Sequence, residues 1–137
     1  MQTATVKWMG GEKFLATMPS GHEVPFDTDR KENSAPGPME MLLGALGTCS
    51  SVDVVSILAK KRQNLQSLEI VISGVRASKP PTVWTKIDML YKLAGELEES
   101  AVRRAIELSQ TKYCSVAAML GKTAAISYRF EIVPAKT

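Results

Sequence analysis

Two cysteines, Cys49 and Cys114, are the residues of this 137-residue chain whose chemistry is most distinctive. A thiolate can attack the O–O bond of a peroxide, and a second thiol can then convert the resulting sulfenic acid into a disulfide. Either cysteine alone is equally compatible with core packing, because free cysteine is often buried as a small apolar residue. One cysteine in each of two predicted helices favours a redox pair.

The two thiols have different local environments. Cys49 lies near the middle of a predicted helix, where Asp53, one turn further on, is expected to disfavour a thiolate by repulsion of like charge. Cys49 therefore needs a cationic or hydrogen-bonding partner from elsewhere. Cys114 begins a short predicted helix, and the unpaired N–H groups of that helix are expected to lower the pKa of its thiol.

Other site chemistries find little support in the sequence. His22 is the only histidine and the cysteines form no CxxC motif, so a closed zinc site is not expected. A Ser/His/Asp triad would depend on the same histidine. We therefore predict no metal and no other cofactor.

The composition is that of a small soluble protein. With 45% hydrophobic residues, the chain can form one core, and we predict a single domain over residues 1–137. Its 17 basic and 14 acidic residues are scattered, which argues against binding to nucleic acid. The most apolar stretch carries Glu40 and Asp53, so we expect no membrane association. No signal-peptide pattern begins the sequence, so we expect a cytoplasmic location, where thiols stay reduced.

Hydrophobic periodicity and turn residues predict the elements that position the cysteines. Residues 3–26 read as a three-stranded antiparallel meander, and residues 27–37 read as a polar loop. Pro38 suits the first turn of a long helix that is predicted to continue through Gln63. This helix is apolar nearly all round and should be buried, and its small residues allow close approach of a neighbour.

The second half continues with strands over 68–75 and 83–93, a helix over 97–108, a short helix over 115–120 and a last strand over 124–133. Runs of strands separated from helices predict an α+β fold, with largely antiparallel sheets packed around the long helix.

Two segments resemble a known family. Residues 38–49, PMEMLLGALGTC, open the long helix, and residues 112–117, KYCSVA, precede the last strand. Together they resemble the osmotically inducible / organic hydroperoxide resistance (OsmC/Ohr) family, and more narrowly an OsmC-like branch. The resemblance implies an intertwined homodimer with the long helices at its centre. It also implies reduction of organic or hydrogen peroxides, with Cys49 reactive and Cys114 resolving.

The resemblance also implies a glutamate ten residues before the reactive cysteine, paired with an arginine that activates the thiol. Met39 occupies that position here, and Glu40 stands nine residues before Cys49. In an unbroken helix this offset is half a turn out of phase and about 13 Å along the axis. Glu40 is either an activating carboxylate, through a distorted first turn or a partner subunit, or a helix-start carboxylate favoured by the dipole. Arg30, the only arginine before Cys49, is either the activating cation or a solvated loop charge.

The expected function is peroxide reduction in an apolar pocket at the dimer interface, with a cellular dithiol as reductant. Met39, Leu43 and Met119 are the candidate pocket residues, and an apolar lining favours bulky organic peroxides. The alternative is a dimer without peroxidase activity that binds a small apolar ligand or carries a redox-sensing thiol, because Met39 stands where a carboxylate is expected.

Overall fold

The computed structural model describes residues 1–134, which divide into two compact units at the boundary between Leu42 and Leu43. In the first unit, three strands pair antiparallel in the order β1-β2-β3: β1 (Thr5–Trp8), β2 (Lys13–Thr17) and β3 (Glu23–Asp27). The predicted meander is confirmed. The prediction of one domain over residues 1–137 stays a prediction, and its last three residues lie outside the described part of the chain.

The long helix α1 (Pro38–Lys60) begins in the first unit and continues into the second. The remaining elements are β4 (Asn64–Arg76), β5 (Trp84–Glu96), α2 (Glu99–Leu108), a π-helical turn (Ser109–Tyr113), α3 (Ser115–Leu120) and β6 (Ala125–Val133). The α+β class is confirmed, with two three-stranded sheets. The sheet of β4, β5 and β6 is mixed rather than antiparallel, because the crossover through α2 and α3 returns β6 parallel to β5.

Strand β5 lies at the centre of the second sheet and carries its core face. Ile87, Met89, Tyr91 and Leu93 are all buried, at the period of two that a strand imposes. They share one hydrophobic cluster with apolar side chains of α1 and α2. The core of the second unit is therefore the place where α1, α2 and β5 meet.

Helix α1 buries only one stripe in the single chain. Its buried residues Leu46, Ser50, Val54 and Leu58 recur every four positions, with Gly47 beside them. On the other side, Val52 and Val55 are 64% and 47% exposed. The expected burial on nearly all sides is thus wrong for one chain, because the rest of the second unit covers a single face.

Small residues in α1 do allow close approach, as predicted. A Cβ atom added to Gly47 would lie 2.5 Å from the side chain of Ile72 on β4. The helix ends at Lys60 rather than Gln63, because the left-handed conformation of Arg62 (φ 56°) lets the Gln63 N–H donate to the Leu58 carbonyl.

The length and composition of α1 would suffice to cross a membrane, contrary to the expectation from its polar residues. Core helices of soluble proteins can have the same length and composition, and α1 packs its buried stripe, Leu46, Val54 and Leu58, into the core cluster.

Candidate active site

The Cys49 thiol lies near enough to Cys114 in the second unit to raise the pKa of the Cys114 thiol. Cys49 comes from α1 and is half-buried, whereas Cys114 precedes α3 and is only 4% exposed. Both are free thiols, and Cys49 packs against the core cluster that contains Cys114. The fold thus brings together two cysteines that are far apart along the chain.

Backbone hydrogen bonds hold Cys114 from both sides. Its N–H donates to the Ser109 carbonyl at 2.8 Å, five residues back, which closes the π-helical turn. Its Sγ accepts from the Ala117 N–H at 3.3 Å, so Cys114 is the N-cap of α3. The sulfur position therefore depends on the geometry of the turn that starts at Ser109.

The prediction that the pKa of the Cys114 thiol is lowered is wrong. Burial raises the pKa of the Cys114 thiol from its ordinary 9.0 to about 11. The hydrogen bond from Ala117 lowers the pKa, as the helix position predicted, but burial outweighs it. The contact with Cys49 and the negative charge of Asp53 raise the pKa further. Cys114 is consequently a protonated thiol at neutral pH.

A chain of hydrogen bonds runs through the core beside the thiols. Gln110 Nε2 lies 2.6 Å from Tyr91 Oη, which lies 2.6 Å from Ser50 Oγ. The distance from Ser50 Oγ to Ser109 Oγ is 2.8 Å. The chain ends where Ser109 Oγ donates to Asp53 Oδ2 at 2.9 Å. Ser50, Tyr91 and Ser109 are all fully buried, so β5, α1 and the π-helical turn are joined inside the core.

The number of protons in this chain fixes its direction. Ser109 Oγ donates to Asp53 Oδ2, so its single hydroxyl proton is already engaged. Ser50 must then donate to Ser109, and Tyr91 must donate to Ser50, while Gln110 donates to Tyr91. Burial raises the pKa of the Tyr91 phenol, which keeps that donor protonated. Every link therefore polarises the next one toward Asp53.

The chain of hydrogen bonds was not predicted from the sequence, although the positions of Ser50 and Ser109 indicate it. Ser50 falls in register with the apolar stripe Leu46, Val54 and Leu58, and Ser109 continues the α2 stripe that includes Val102 and Ile106. A hydroxyl at a core position requires a buried hydrogen-bond partner. Asp53 is bonded to Ser109 and acts electrostatically on Cys114, whereas its expected action on Cys49 stays a prediction.

Arg30 and Glu40 lie together in the first unit. Glu40 Oε1 accepts from the Gly37 N–H at 3.1 Å, which caps the start of α1, and lies 3.9 Å from Arg30 Nη1. The Arg30 guanidinium also donates to Asn33 Oδ1 and to the Ala35 carbonyl, and so fastens the polar loop. Both charged side chains are about half exposed, 51% and 54%. Their observed contacts are those of a loop anchor and a helix cap.

The three predicted pocket residues have different surroundings. Met39 is half-buried in the first unit, and Leu43 packs partly against the core cluster of the second. Met119 is 75% exposed. Its role in a closed apolar pocket would need a covering surface from outside the chain.

The burial of Cys114 leads to a testable titration. Thiolate absorbance near 240 nm should show Cys114 ionising close to pH 11 in the native protein and close to 9 after denaturation. Because the folded pKa is raised, the corresponding stabilisation is complete below pH 9 and is lost as the pH rises through about 11. Cys114→Ser should lack this step. Native ionisation of Cys114 below pH 9 would contradict the burial argument.

Comparison with known proteins supports the family resemblance. The family model described as OsmC-like protein matches residues 31–129. Protein YhfA of Escherichia coli strain K12 is 43% identical over 133 residues, covering 96% of this chain and 98% of YhfA.

Solved structures agree in fold. A hypothetical protein from Aquifex aeolicus VF5 superposes with a TM-score of 0.89 at 32% identity, covering 99% of this chain and 98% of that one. An organic hydroperoxide resistance protein OsmC from Legionella pneumophila superposes with a TM-score of 0.72 at 11% identity, covering 96% of each chain, which shows a shared fold. The match to the family model and the identity to YhfA establish that this chain belongs to the OsmC-like protein family.

Proposed function

We propose that this protein is a thiol-dependent reductase of organic or hydrogen peroxides. The Cys49 thiolate attacks the O–O bond, an alcohol or water leaves, and Cys49 becomes a sulfenic acid. Cys114 then attacks that sulfur, so that a disulfide forms and water leaves. A cellular dithiol reduces the disulfide by exchange, and no metal or other cofactor takes part.

The observation that carries this proposal is the shared position of the two thiols in one core, one half-buried and one buried, where Cys49 packs against the cluster that contains Cys114. The accessible Cys49 suits the residue that meets the peroxide. Cys114, whose pKa is about 11, suits the resolving role because it stays protonated and is not consumed by the first oxidant. Family membership and the name of the Legionella pneumophila neighbour favour a role in peroxide stress.

Arg30 and Glu40 are proposed to contribute charge to the reactive thiol, as the family resemblance implies. Their ion pair at 3.9 Å supports a joint role. The capping bond of Glu40 to Gly37 is a competing explanation for the same carboxylate. The two explanations differ in whether the negative charge itself is needed.

We further propose a cytoplasmic homodimer whose partner covers the exposed face of α1. Val52 and Val55 on that helix, together with Tyr113 and Met119, are large apolar side chains exposed in the single chain. Covering Met119 would give the apolar lining expected with Met39 and Leu43, which favours bulky organic peroxides.

The second candidate function is a dimer without peroxidase activity that binds a small apolar ligand or senses redox state through the thiol pair. Met39 in place of the expected glutamate favours it, since Glu40 already satisfies a helix-capping role.

Peroxide consumption distinguishes the two functions. With cumene hydroperoxide and dithiothreitol, the wild-type protein should consume peroxide catalytically and Cys49→Ser should be inactive, because the attacking thiol is gone. Cys114→Ser should turn over more slowly and accumulate a sulfenic acid that dimedone traps. Wild-type consumption no faster than that of Cys49→Ser would exclude the reductase.

Replacing one carboxylate separates the two explanations for Glu40. Glu40→Gln retains an acceptor for the Gly37 N–H but removes the charge beside Arg30. We expect kcat/KM for cumene hydroperoxide to fall at least about tenfold with an unchanged urea midpoint, as for loss of a positioned charge near a reacting group. Glu32→Gln, which removes the exposed ion pair with Lys13, is the control. Unchanged kinetics would leave Glu40 only its capping role.

Light scattering tests the proposed assembly. The wild-type protein should have twice the 14.9 kDa mass of the chain. Val52→Glu should shift the mass toward one chain, because it would bury an unpaired charge in the interface. Lys79→Glu, an exposed charge reversal in the β4–β5 connection, should leave the mass unchanged. A monomeric wild-type protein would refute the dimer.

A further inference from the structure

Ser109 contacts residues on both sides of the thiol pair. Its hydroxyl is bonded to Ser50 and Asp53, which follow Cys49 on α1 by one and four positions. Its carbonyl accepts the N–H of Cys114. Ser109 is fully buried, and the turn that begins there is π-helical, a rare geometry that is frequent at functional sites.

We propose that Ser109 is a positioning residue for disulfide formation, holding Cys114 against Cys49 through its paired contacts with α1 and with the Cys114 backbone. This inference rests on the proposed redox role of the two thiols and adds to it the residue that sets their mutual geometry. Ser109 does not touch the peroxide.

The direction of the hydrogen-bond chain explains why a hydroxyl is needed at this place. Ser109 donates to Asp53 and accepts from Ser50 with a single side-chain oxygen, and no apolar side chain can do either. Alanine there would leave the Ser50 proton without its buried acceptor and would release Asp53. The π-helical turn would then lose its tie to α1, and the alignment of Cys114 would loosen.

The equilibrium of the thiol pair with glutathione measures this positioning directly. Diamide oxidises the two thiols by accepting two electrons and two protons, so a disulfide can be made without any peroxide. The oxidised protein is then equilibrated in glutathione buffers, and the disulfide fraction is read by alkylation and mass spectrometry. This fraction gives the effective concentration of one thiol at the other, which is equivalent to a redox potential.

We expect Ser109→Ala to lower this effective concentration about tenfold, which is modest beside the range reached by well-oriented intramolecular groups. The iodoacetamide labelling rate of Cys49 in the reduced protein should stay unchanged. Thr111→Ala is the matched control, because it removes a hydroxyl from the same turn at an exposed site, where the Thr111 hydroxyl donates to the Glu107 carbonyl.

A Ser109→Ala protein with the wild-type effective concentration would overturn the inference, as would an equal loss in Thr111→Ala. If Ser109→Ala fails to fold, Ser50→Ala, which removes the donor to Ser109, should show the same direction of change, and no change there would also overturn it. Wild-type protein that forms the disulfide with diamide yet consumes no cumene hydroperoxide would refute the reductase function while leaving the positioning role open to this measurement. Wild-type protein that forms no such disulfide would refute both.

Discussion

The hydrogen-bond chain that ends at Asp53 is the constraint on which the second unit depends. Three hydroxyls are fully buried in an otherwise apolar core, and each unsatisfied buried group would cost about 1–3 kcal/mol. Because Ser50, Tyr91 and Ser109 satisfy one another only at hydrogen-bond distance, the bonds restrict how far α1, β5 and the π-helical turn can shift. Apolar packing alone tolerates small shifts more readily.

The thiol pair shows how burial can reverse a local effect. The helix that begins after Cys114 offers its thiol an N–H group, and that contact is present. Removing the sulfur from water is the larger effect, so its pKa rises. The result is an unequal pair, in which one thiol is partly accessible and the other is buried and protonated. Such inequality suits the proposed two-step reaction, in which Cys49 attacks the peroxide and Cys114 then forms the disulfide, better than two equivalent thiols would.

The two faces of helix α1 differ in burial. Its buried stripe supplies both core packing and Ser50, whereas the opposite face leaves Val52 and Val55 in solvent. A helix with apolar residues all round is stable in water only where both faces are covered. The proposed homodimer would cover this second face of α1.

The sequence by itself determined the elements, since the alternation before Phe26, the proline at the start of α1 and the spacing in α2 are local patterns. It also singled out Cys49 and Cys114. It could not determine that β6 returns parallel to β5, because strand direction follows from how α2 and α3 cross the sheet. Nor could it decide the sign of the Cys114 pKa shift or the partners of Ser50 and Ser109. Those depend on water exclusion and on contacts between residues distant in the chain, which exist only after the core has formed.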